Sequence, residues 1–218
     1  MPANLVIITD RHATADRPLL QIIDRALCAA PPSFAALWIR DKDLPIKERA
    51  KLGHQLATLA RKHQANLWVS AASAVAPNES VALAIELQAD LLQLPATGLA
   101  TALLRDLIGD SMRLGRAVHN SLEMRRAVDE GMDQVVVSPV FAVPAKGQPL
   151  GAAGLAELIA QGPQLHTVAL GGITPNNAGI CWKKGANSLA CIRAVLGADD
   201  PAEAVEGFVE ARRVFETN

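Results

Sequence analysis

The residues best suited to chemistry lie in Gly171-Gly172-Ile173-Thr174-Pro175, which follows the apolar run Val168-Ala169-Leu170. Glycine carries no Cβ, so such a backbone can approach a ligand closely. Thr174 suits the cap of a helix and Pro175 its first turn. The N–H groups exposed at such a start attract anions, phosphate above all. A second apolar run, Ser188 to Ile192, ends in the cation Arg193. Two successive strand ends, one glycine-rich and one basic, form a phosphate site late in an eight-stranded barrel. The competing reading is a plain strand-to-helix turn with no ligand.

Arg40 and Lys42 sit two residues apart, so in extended chain they point the same way. Two cations on one rim suit a second anionic group, a carboxylate or a diphosphate. The bland alternative is salt-bridging to Asp41 and Asp43. His119 follows small and apolar residues directly before a helix, where an imidazole could shuttle a proton near neutral pH. The alternative is a helix-start histidine that bonds only backbone. His12 is less promising; His54 and His63 read as solvated on a helix surface, and His166 lies early in a strand, away from the ligand end. Lys146 stands in a Gly- and Pro-rich loop from Ala142 to Gly151, a length that suits a lid over a charged ligand, the alternative being an ordinary solvated loop lysine. A metal site is hard to build: Ser70, Ala71, Gln93 and Pro95 stand where acids would be needed, and although Asp10 and Asp41 remain possible ligands, neither pairs obviously with another carboxylate, so no metal is expected.

These residues need a scaffold that brings strand ends together. Apolar runs read as strands at Leu5 to Thr9, Phe34 to Arg40, Asn66 to Ser70 and Asp90 to Leu94. Four more follow at Met112 to Val118, Gln134 to Ser138, Leu165 to Leu170 and Asn187 to Ile192. Helical patterns lie between them, at Pro18 to Ala29, Ile46 to His63, Asn78 to Leu87, Leu99 to Leu107, Ser121 to Glu130, Ala152 to Ala160 and Pro175 to Lys184. The last helix runs from Pro201 to about Phe215. The strand runs are apolar throughout, as in parallel strands buried on both faces. Eight such units predict an α/β fold, a single (β/α)8 TIM barrel over residues 1–218. Even spacing and the lack of an early Gly-x-Gly-x-x-Gly disfavour a doubly wound open sheet.

Composition narrows the partners. The 218 residues are 50% hydrophobic with a formal net charge of −1, which suits a sizeable core and points to neither nucleic acid nor a membrane surface. Aromatic residues make up 3% and tyrosine is absent, which argues against base-stacking platforms. Three scattered cysteines, Cys28, Cys181 and Cys191, give neither a disulfide framework nor a zinc pattern. No signal peptide or membrane span is expected, so the reading is cytoplasmic. A homodimer is a default for a small barrel.

Taken in order, the motifs resemble the thiamine phosphate synthase superfamily, most closely its TenI-like thiazole tautomerase branch. The likeness rests on Ile7-Ile8-Thr9-Asp10, Trp38-Ile39-Arg40-Asp41-Lys42 and Ser138-Pro139-Val140-Phe141 with Lys146. It continues through Gly171-Gly172-Ile173, Gly185-Ala186-Asn187 and Gly197-Ala198-Asp199-Asp200-Pro201. The synthases of that superfamily couple a pyrimidine diphosphate to a thiazole phosphate and hold magnesium with an Asn-Asp pair after strand three and an Asp after strand four. Here Ser70-Ala71 and Pro95-Ala96-Thr97 stand at those places; Trp38 replaces a glutamine and Ala117 a serine. Leu92-Gln93-Leu94-Pro95 and Leu114-Gly115-Arg116-Ala117-Val118-His119-Asn120 are similar to the tautomerase branch.

The resemblance implies an isomerase without cofactor that moves a proton on a phosphorylated thiazole carboxylate. His119 would transfer the proton and Gln93 orient the ring or a water. Gly171, Gly172, Ile192 and Arg193 would bind the phosphate, although Arg193 stands where the family usually has serine. Arg40 and Lys42 would lie near the carboxylate, with Ser138 and Lys146 completing the binding set. The alternative is a true synthase, a transferase, for which alone magnesium is implied. A third reading is a barrel that binds phosphorylated ligands without turnover.

Overall fold

The computed structural model describes residues 3–71, 77–97, 101–144 and 146–217. Its strands are β1 (Leu5–Ile8), β2 (Ala35–Ile39), β3 (Asn66–Ser70), β4 (Leu91–Leu94), β5 (Arg113–Val118), β6 (Gln134–Val137), β7 (His166–Leu170) and β8 (Ser188–Cys191). They close in sequence order into a parallel barrel, with β8 pairing back onto β1. The helices are α1 (Leu19–Cys28), α2 (Ile46–Lys62), α3 (Pro77–Glu86), α4 (Thr101–Ile108), α5 (Ser121–Asp129), α6 (Gly151–Gln161), α7 (Pro175–Lys183), α8 (Arg193–Leu196) and α9 (Pro201–Glu216). The predicted TIM barrel is therefore the observed fold, with strand limits within one residue of expectation. Two short elements had no forecast: a 3-10 turn at Arg11–Ala13 and the single turn α8. The expected start of the fourth helix at Leu99, and Ala72 beyond the third strand, lie outside the described residues.

The uniformly apolar strands split their side chains between two cores. Leu5, Ile7, Leu37 and Ile39 face the helix layer, while Val6, Ile8, Ala36, Trp38, Trp68, Val136 and Val168 fill the barrel. Each large side chain so buried contributes about 2–3 kcal/mol relative to exposure. Trp38 and Trp68 are partners in register and pack with ring centroids 6.2 Å apart. These indoles fill the barrel interior.

Barrel strands are tilted, which decides what reaches that rim. One hydrogen-bonded row passes from Ser70 on β3 to Gln93, Gly115, Gln134 and finally His166, the first residue of β7. It therefore descends from the rim to the base. His166 is at the base, as expected, where its Nε2 lies 2.8 Å from Ser188 Oγ. His54 is exposed on α2, as expected, whereas the expected solvated state of His63 needs correction. His54 Nε2 lies 2.6 Å from Glu86 Oε1, and His63, with a side chain only 12% exposed, lies 2.6 Å from Asp24 Oδ1. These pairs tie α2 to α3 and α1.

Candidate active site

His119 follows β5 directly and faces the rim. Its Nδ1 lies 2.6 Å from the carbonyl oxygen of Ser138, at the end of the neighbouring β6. A carbonyl only accepts, so Nδ1 carries a proton, and in the neutral form of the ring Nε2 is the nitrogen that keeps the lone pair. The histidine is exposed. Asn120 caps α5 by accepting the N–H of Glu123 at 3.0 Å, while Glu123 Oε2 accepts the N–H of His119 at 2.7 Å.

The ends of β1 and β2 form a cleft of about 380 Å³ lined by Thr9, Asp10, His12, Arg40, Asp41, Lys42 and Asp43. Its carboxylates are all engaged. Asp10 pairs with Arg40 at 2.9 Å, and Asp41 accepts from Thr9 Oγ1 at 2.5 Å and from the Arg11 N–H at 3.1 Å. Asp43 pairs with Arg11 and lies 3.3 Å from His12 Nε2. Arg40 therefore pairs with Asp10, not with the adjacent Asp41 and Asp43 that the sequence alternative named. Lys42 has no ion pair among the described residues; partial burial, then the charges of Arg49 and Arg40, lower its pKa.

At the opposite side, Gly171 and Gly172 adopt φ of +107° and +63°. A Cβ on Gly171 would stand 2.7 Å from Pro139 Cα, and one on Gly172 would stand 2.8 Å from the Ala142 carbonyl. The close approach that these glycines permit is thus to the β6–α6 loop of the same chain. That loop is stapled at its root, because Val140 and Phe141 donate to Leu170 and Gly171 at 2.9 Å. Asn177 secures the turn by accepting from the Thr174 N–H and donating to the Gly172 carbonyl, both at 2.9 Å. Ile192 caps α8 and packs on the inner barrel cluster. Arg193 and Lys146 are both exposed, with no ion pair among the described residues.

The structure does not bring Gln93 to this group. Its register partner is Gly115, four residues before His119, or roughly 13 Å along the strand. Gln93 is 2% exposed and its carboxamide lies over Gly115, which has no side chain to displace it. The strand tilt, invisible when strand ends are compared by sequence alone, puts Gln93 one layer too deep.

Residues 5–195 match the family described as thiamine monophosphate synthase. The chain belongs to that family. It is 34% identical over 201 residues to the thiamine-phosphate synthase of Roseiflexus sp., covering 91% of this chain and 80% of the relative. The thiamine-phosphate synthase of Roseiflexus castenholzii is 32% identical over 207 residues, covering 94% and 86%. Among solved structures, thiamine phosphate pyrophosphorylase from Pyrococcus furiosus superposes with a TM-score of 0.82 at 26% identity, covering 97% of this chain and 96% of that one. A 3-hexulose-6-phosphate synthase, at 15% identity and TM-score 0.66, shares the fold alone. Membership in the thiamine monophosphate synthase family places this chain among enzymes of thiamine biosynthesis. No helix among the described residues is long and apolar enough to cross a membrane.

Synthase chemistry in this family implies magnesium, and the residues present do not fit it. Ser70 is fully buried, and its Oγ accepts from Trp38 Nε1 at 2.8 Å. Ala71 and Pro95 offer no side-chain ligand, and among the described residues no three acidic, histidine or cysteine side chains gather. A different charge serves the end of β3: the buried Arg49 donates to the Ser70 carbonyl at 2.5 Å and to Ser80 Oγ at 3.3 Å. Arg116, also buried, donates to Glu130 at 2.5 Å and to the Pro95 carbonyl at 3.3 Å, which fixes the exit from β4. Sequence reasoning missed both arginines because a helix arginine and a strand arginine carry no mark of which way they point. It also missed Glu123, although Asn120-x-x-Glu123 before an amphipathic helix has the spacing of a capping box.

Proposed function

We propose that this chain is a metal-independent isomerase that moves a proton on a phosphorylated thiazole carboxylate, with His119 as the acid–base group. The observation that carries this reading is the 2.6 Å bond from His119 Nδ1 to the Ser138 carbonyl, which leaves Nε2 basic at an open rim. Nε2 takes a proton from a ring carbon, and the imidazolium returns it to another carbon, so the product is an aromatic isomer. The Ser138 carbonyl stabilises the transient cation by accepting the Nδ1 proton throughout. Gly171, Gly172, Ile192 and Arg193 receive the phosphate, Arg40 and Lys42 lie near the carboxylate, and Lys146 covers the ligand from its loop. Lys42, Lys146 and Arg193, which make no ion pair among the described residues, support this assignment, because each offers its charge to an anion. Gln93 has no part in it.

The names of the relatives favour a second reading, a thiamine-phosphate synthase that joins a pyrimidine to the thiazole and releases pyrophosphate. The comparisons weigh toward this transferase, and the side chains at the rim weigh toward the isomerase. One paired assay separates them. The protein is given the non-aromatic thiazole carboxylate phosphate alone, and separately pyrimidine diphosphate, thiazole phosphate and magnesium. Formation of the aromatic isomer in the first, without pyrophosphate in the second, supports the isomerase. Pyrophosphate release makes it a synthase, and ligand binding without either reaction makes it a binding barrel.

A further inference from the structure

We propose that Glu123 is a positioning residue for His119, acting through the backbone of the histidine. The inference rests on the acid–base reading of His119. The start of α5 leaves several N–H groups without helical partners. Asn120 takes one of them, accepting from the Glu123 N–H at 3.0 Å. In a capping box the glutamate side chain returns to the N–H of the cap residue itself. Here it reaches one residue further, and Glu123 Oε2 accepts the N–H of His119 at 2.7 Å. A carboxylate acceptor makes this a charge-assisted bond, stronger than a neutral one.

The carboxylate has an obvious alternative and does not take it. Arg126 lies three residues on, at helical pairing distance, yet it pairs with Glu130. Glu123 makes no ion pair among the described residues. His119 is thereby held at two points, its N–H by Glu123 and its Nδ1 by Ser138. The first fixes the direction in which the side chain leaves the backbone, and the second fixes the ring. Loss of the first allows the imidazole to drift from the carbonyl, and a displacement of about 1 Å at a reacting group costs roughly a hundredfold in rate.

The experiment combines nitrogen-15 NMR of the histidine ring with steady-state kinetics on Glu123→Ala and Glu123→Gln. In Glu123→Ala the His119 signals move from the Nδ1–H form toward a mixture of tautomers. Its kcat falls between about tenfold and a hundredfold, with KM within about twofold. Glu123→Gln keeps an oxygen acceptor and restores both the tautomer and most of kcat. If Glu123→Ala does not fold, Glu123→Asp, one methylene too short to span the same bond, gives the same readouts. A wild-type tautomer and kcat in the Ala or Asp variant, or a Gln variant as impaired as Ala, overturns the proposal. The NMR arm needs no substrate, so absence of isomerase activity in the wild type would leave this test standing.

Discussion

His119 and Ser138 are joined through a main-chain atom: the imidazole Nδ1 lies 2.6 Å from the serine carbonyl, while the serine hydroxyl is 3.4 Å away. The parallel pairing of β5 with β6 supplies this acceptor whatever side chain follows β6. Ser138→Ala should therefore keep the Nδ1–H form of His119 in nitrogen-15 spectra. A change to the Nε2–H form would show that the hydroxyl sets the tautomer.

Gly171 and Gly172 are held against the β6–α6 loop at positive φ, so a methyl group at either position is strained and also meets backbone. Ala at Gly171 should cost about 2–4 kcal/mol, from a left-handed penalty together with local overpacking. In a chain of 218 residues this lowers Tm by roughly 4–16 °C. Phosphate-ligand affinity should fall with it, because the loop root moves. An unchanged melting curve would contradict the contact described.

Asp10 neutralises Arg40 at 2.9 Å, in a pair with both partners partly exposed. Asp10→Asn releases the guanidinium to a ligand carboxylate. Affinity for the carboxylated thiazole phosphate should rise about two- to fivefold at low salt, the scale of such a pair, and the gain should shrink as salt is added. Weaker binding in the variant would mean that Asp10 itself orients Arg40 for the ligand.

At the base of the barrel, burial and then the charge of Arg113 push the His166 imidazole down to about 4 from its ordinary 6.5. Above pH 6.5 the ring is neutral in folded and unfolded chains alike. As pH falls from 6.5 toward 4, the unfolded chain binds a proton that the folded chain refuses, so stability is lost across that window and the loss levels off below it. Chemical denaturation of wild type and His166→Asn over that range should show the steeper decline in wild type. Parallel curves would contradict the assignment.

Much of this was legible in the chain. The eight apolar runs, buried on both faces, announced parallel strands, and the order of motifs announced the family. The glycine pair, Arg193 and His119 fall at strand ends as the pattern required. What the sequence withheld follows from three-dimensional offsets. Gln93 reads as a strand-end residue, but the tilt of β4 against β5 lowers it beneath the rim. Gly171 and Gly172 read as ligand contacts, yet they are needed first to admit Pro139 and Phe141. Arg40 reads beside Asp41, and its carboxylate instead comes from Asp10, just after β1 and 30 residues earlier.

If His119 moves the proton, turnover depends on its imidazole. The most direct measurement is the rate of aromatisation of the thiazole carboxylate phosphate by wild type and His119→Ala, with folding checked by circular dichroism. A fall in kcat of about 10²–10⁴-fold is expected in the variant, with the ligand still bound. Undiminished turnover by a folded His119→Ala would contradict it.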